Sequence, residues 1–147
     1  MSTSARGVIC LPAKDTGLVP DGWRVISDVP DTEIDLSKLD FSSPLAENEN
    51  WISGDTLLER AESVKAMGSL GLAKLVLHAQ ESGYDVIPRW LRGKVYIVLP
   101  RTSLHDRRGR RRVAVLSWSG ERWFLYFDWL DNEFDFNSGA RMPRLRE

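Results

Sequence analysis

Residues 95–130 read VYIVLPRTSLHDRRGRRRVAVLSWSGERWFLYFDWL, and the fold turns on this stretch. Apolar Val95, Ile97 and Leu99 alternate with Tyr96 and Val98 until Pro100 ends the run. Val113 to Trp118 makes a second run, and Trp123 to Leu130 a third after the tight turn Ser119-Gly120. Three such strands in succession predict an antiparallel meander. In the third strand Trp123, Leu125, Phe127 and Trp129 share one face, while Phe124, Tyr126 and Asp128 share the other. Apolar side chains on both faces require both to be at least partly covered, one of them by a helix.

That helix is written into residues 53–83. Thr56 and Glu59 form a T-x-x-E capping pattern, with Ser53 and Asp55 as competing caps. Leu57, Leu58, Ala61, Val64, Gly68, Leu72, Leu75, Val76 and Ala79 recur at helical steps, and Gly83 offers a left-handed stop. Gly68 and Gly71 each cost about 1 kcal/mol relative to Ala in a helix, so they mark either a break into two shorter helices or a close approach by a sheet.

Two further short strands are expected at Val8 to Leu11 and at Trp23 to Ile26, the latter after a Pro20-Asp21-Gly22 turn. Residues 27–50 shift toward Asp, Glu, Ser and Pro and read as an acidic loop or arm, with Ile34, Leu36, Leu39, Phe41 and Leu45 able to tether it as a clasp. Residues 137–147 read as a flexible basic tail. The expected fold is therefore a single α+β domain over 1–147. It has an antiparallel sheet of about five strands packed against one long or kinked helix.

Charge divides the chain sharply. Residues 86–122 carry ten basic side chains against Asp106 and Glu121, a net +8, whereas the whole chain is −1 with an isoelectric point near 6.1. The loop between the first two meander strands, Thr102 to Arg112, concentrates the surplus in Arg107, Arg108, Arg110, Arg111 and Arg112. Guanidinium groups present planar forks suited to carboxylate and phosphate. Together with Arg101 and Trp118, this hairpin is the expected partner-binding surface, because Arg and Trp are enriched at binding hot spots. An acidic protein surface is the favoured partner. Nucleic acid is the alternative, and it is weakened by an acidic remainder that would repel a phosphate backbone.

Other chemistry finds little support. Cys10 is the single cysteine and reads as a buried strand residue, with no disulfide and no thiolate cluster. His78, near the end of the helix, and His105 are the two histidines, too few for a His-rich metal centre, and no nucleotide-binding glycine motif occurs. Asp131, Glu133 and Asp135 are spaced like the start of a calcium loop, but Phe136 stands where Gly is needed and Met142 where a bidentate Glu is needed. A metal-dependent nuclease using Asp131 and Asp135 is a second alternative that no spacing recommends. With no apolar run of about 20 residues, neither a membrane partner nor a span is expected. The start of the chain lacks the pattern of a signal peptide, so a cytoplasmic location, in its own cell or a host, is expected. A non-catalytic module without cofactor or metal is the resulting expectation, of the size of the small inhibitors and adaptors that phages and mobile elements carry.

Overall fold

A computed structural model describes residues 7–30, 33–131, 133–135 and 139–145. The fold is α+β, as the patterning predicts. The meander is present: β6 (Tyr96–His105), β7 (Arg111–Trp118) and β8 (Trp123–Trp129) pair antiparallel in sequence order. Pro100 does not end the first strand. Leu99 pairs with Ala114 and Ser103 with Val113, so Pro100, Arg101 and Thr102 form a bulge that lets β6 bend and continue.

The remaining strands correct the expected sheet. β2 (Arg24–Asp28) pairs antiparallel with the second half of β6. The supposed tail contains β10 (Ala140–Leu145), which lies between β6 and β4 (Leu39–Ser42). β10 is parallel to β6 and antiparallel to β4, so the six-stranded sheet is mixed, in the order β4-β10-β6-β7-β8 with β2 on β6. Arg141, Pro143 and Arg144 interrupt the apolar alternation of a six-residue run and so disguised a strand as a frayed end. Two small pairs complete the fold, β1 (Gly7–Val8) with β3 (Ile34–Asp35), and β5 (Trp51–Ser53) with β9 (Glu133–Asp135). The 27–50 region is thus more than a loop: Ile34, Leu39 and Phe41 are buried in the main core. Cys10 is buried as expected, but just beyond β1 rather than within it.

The helical pattern resolves into two helices, α1 (Gly54–Ser63) and α2 (Leu70–Glu81). Ser53 wins the capping competition, its hydroxyl accepting from the Thr56 N–H. The helices cover opposite faces of the sheet. Leu57 of α1 packs with Val98, Val113, Leu130 and Ala140, whereas Leu70, Leu72, Ala73 and Val76 of α2 pack with Ile97, Leu99, Ala114, Leu116 and Trp123. The segment between them passes β6 in the gap between β10 and β2. There the Met67 N–H donates to the Pro143 carbonyl at 2.8 Å and the Arg101 N–H to the Gly68 carbonyl at 2.7 Å. A methyl on Gly68 would sit 3.0 Å from the Leu99 Cα, and one on Gly71 would overlap the Leu11 carbonyl. Both readings of these glycines therefore hold, a break and a close approach.

Candidate functional site

The Arg-rich tip is smaller than the sequence suggests, because β6 and β7 extend to His105 and Arg111 and leave only Asp106 to Arg110 as the turn. Asp106, 8 % exposed, organises it. Its Oδ1 accepts the backbone N–H groups of Arg108 and Arg110, both at 2.9 Å, and its Oδ2 accepts Nε of Arg112 at 3.0 Å and of Arg110 at 3.2 Å. Burial alone would raise the Asp106 carboxyl. The Arg110 N–H, the Arg112 guanidinium, the Arg108 N–H and the charge of Arg110 outweigh it, holding the carboxyl at about 2 against an ordinary 3.8. Gly109, at φ +77°, supplies the left-handed residue that the turn needs.

Strand pleat then sends successive arginines to opposite faces. Arg111 points toward α1 and forks between Asp55 at 2.8 Å and Asp131 at 2.5 Å; hydrogen bonds from Asp55 first and Asp131 second raise its pKa. Arg112 points to the other face and lies over Trp129 at 5.3 Å and Trp23 at 5.6 Å. Arg110 covers Trp129 as well, at 4.7 Å. Much of the expected binding charge is therefore engaged within the molecule, in Arg110, Arg111 and Arg112. Arg107 and Arg108 remain exposed; the Arg107 Nε donates to the Asp21 carbonyl, and Arg108 forms no side-chain pairing among the described residues. Three carboxylates, Asp55, Asp106 and Asp131, thus engage three of the five hairpin guanidinium groups, those of Arg110, Arg111 and Arg112.

Two expected site residues lie elsewhere. Arg101 sits in the β6 bulge, where its buried Nε has no partner among the described residues, beside a cavity of about 320 Å³ shared with Ser27, Glu62 and Ser103. Trp118 is at the far end of β7, about 23 Å from Arg111 at strand rise. It packs edge-to-face on Trp123 under the Arg92 guanidinium, 4.2 Å away, and borders a cleft of about 420 Å³ with Arg89 and Arg122. The residues that sequence reasoning missed are Trp23, Trp129 and Arg24. Arg24 comes to the tip through the pairing of β2 with β6, its Nη2 3.5 Å from His105 Nδ1.

Asp131, a ligand in the nuclease alternative, is ion-paired with Arg111, and no group of three or more His, Cys, Asp or Glu among the described residues is arranged to hold a metal. The side chains of Glu133 and Asp135 lie outside the described residues, as do residues 136–138. Among the described residues no helix is long and apolar enough to cross a membrane. The chain matches no family model, no curated protein and no solved structure.

Proposed function

We propose that the protein is a non-catalytic binding module whose hairpin tip engages an acidic surface on a protein partner, in the manner of a small intracellular inhibitor or adaptor. The supporting observation is the buried Asp106. By fixing the turn and tying back Arg110 and Arg112 over Trp129, which is 43 % exposed, it holds the tip backbone that carries the exposed Arg107 and Arg108. A fixed turn backbone leaves only the exposed arginine side chains to be ordered on binding, while Trp129 is already held by Arg110 and Arg112. The acidic remainder of the chain favours a compact protein patch over a long phosphate backbone.

The test compares wild type with the double variant Arg107→Glu, Arg108→Glu against nuclease-treated cell extract, poly-L-glutamate and duplex DNA. The expected result is one protein retained by wild type and lost by the variant, with poly-L-glutamate bound more tightly than DNA. Retention that vanishes on nuclease treatment, together with a DNA salt slope that falls by about two in the variant, would assign the tip to nucleic acid instead.

A further inference from the structure

We propose that the free edge of β8 is a second contact, at which an extended acidic segment of a partner protein adds as a further strand. The inference rests on the hairpin reading only for the sign of the partner's charge. Its basis is the hydrogen-bonding parity of β8. Arg112 lies opposite Trp129, and the Leu130 N–H donates to the Arg111 carbonyl at 2.9 Å. The backbone groups of Phe124, Tyr126 and Asp128 therefore turn toward β7, and those of Trp123, Leu125, Phe127 and Trp129 turn outward.

Side chains close the two ends of that outward row. Gln80 of α2 lays its amide against Trp123 as a neighbouring peptide group would, accepting the Trp123 N–H at 2.9 Å and donating to its carbonyl at 2.7 Å. The Trp129 N–H donates to Asp128 Oδ1 at 2.8 Å. Between these plugs the Leu125 N–H and C=O and the Phe127 N–H have no partner among the described residues, while the Phe127 carbonyl has a long contact, 3.4 Å, with Arg112. Phe124 and Tyr126 stand exposed on the adjoining face, their rings 5.8 Å apart. Unpaired strand groups flanked by exposed aromatics are a template for strand addition.

Charge and fit select the occupant. The open window runs from Arg110 and Arg112 at one end to exposed Arg122 at the other, so an added strand of about five residues would bring both its ends near guanidinium groups. Acidic side chains complement that spacing. A second copy of the chain fits poorly. Pairing two β8 edges about Tyr126 would set Trp129 of one opposite Trp123 of the other, where the Gln80 side chain already fills the pairing position.

The experiment uses the full chain and a capped octapeptide of alternating Val and Glu, followed through backbone amide shifts and affinity. The peptide is expected to bind with a dissociation constant below about 1 mM and to shift and protect the Leu125 and Phe127 amides. Methylating the peptide's backbone nitrogens at two alternate central residues should weaken it about tenfold. Arg107→Glu, Arg108→Glu should leave the edge shifts in place, which separates this site from the tip. The proposal is overturned by shifts confined to residues 106–110, by indifference to N-methylation, by equal binding of a Val/Lys peptide, or by no binding at 1 mM on the order of that limit. Concentration-dependent dimerisation through Leu125 and Phe127 without peptide would overturn it in favour of self-association.

Discussion

Replacing Thr102 by Val probes the junction on which the whole arrangement turns. Thr102 is fully buried in the β6 bulge; its Oγ1 donates to Asp28 Oδ1 at 2.6 Å and accepts the Leu70 N–H, the first residue of α2, at 2.9 Å. Asp28 in turn accepts the Ala13 N–H at 2.9 Å. Valine keeps the volume and removes the hydroxyl, so no cavity term enters. The loss is a hydrogen bond to a charged group, about 1.5–3 kcal/mol, together with the desolvation cost of an orphaned Leu70 N–H, about 1–3 kcal/mol. The half-buried Asp28 recovers part of this from water, which puts the net near 3 kcal/mol on the order-of-magnitude scale of buried polar loss. For a domain of this size that corresponds to a fall in Tm of roughly 6–12 °C. Equilibrium urea unfolding with an unchanged m-value, alongside thermal melts, measures it, and Thr102→Ser should lose far less. A double-mutant cycle with Asp28→Asn should show coupling of at least about 1 kcal/mol. A Thr102→Val loss below about 1 kcal/mol, or one equal to that of Thr102→Ser, would refute the reasoning.

Acid should loosen the tip: the Asp106 carboxyl titrates at about 2 in the fold against an ordinary 3.8, so its contribution is complete above about pH 4 and is lost as pH falls through 2. Glu49, held at about 2 first by the Arg60 hydrogen bond and then by the Ala46 N–H, adds to the same limb; urea midpoints from pH 5 to 2 should flatten in Asp106→Asn and flatten further when Glu49→Gln is added. Gly54→Ala should destabilise by about 3 kcal/mol or more because its methyl would overlap the Leu130 carbonyl, whereas Gly109→Ala, in open space at φ +77°, should cost only about 1–2 kcal/mol for the left-handed backbone; urea unfolding separates them. Arg112→Ala, which loses Asp106 and two indole contacts, should lower the melting midpoint by roughly 5 °C, while Arg108→Ala should leave it unchanged within 1 °C on the order of surface substitutions.

The candidate site was legible as composition and not as pairing. A run of five arginines within six residues announces a basic hairpin, and strand parity alone would have divided Arg111 from Arg112, since neighbouring strand residues face opposite ways. What the run does not disclose is the set of carboxylates that meet it. Asp55 is 56 residues from Arg111 and Asp131 is 20, and both arrive only because α1 and the end of β8 flank β7. Trp23 and Arg24 reach the tip by the same route, through the partner that β2 finds on β6.

Local chemistry in the chain sufficed for the meander, the facing of its side chains, a helix start within residues 53–56 and the singling out of Gly68 and Gly71, because alternation, capping and glycine conformation are properties of neighbours; which of the competing caps is used, Ser53, was decided in the fold. Three outcomes needed the assembled fold: the insertion of β10 beside β6, the placing of α1 and α2 on opposite faces, and the internal engagement of Arg110, Arg111 and Arg112. Each is a pairing between residues distant in sequence, and a pairing of that kind is chosen by competition among all available partners in three dimensions, which no window along the chain contains.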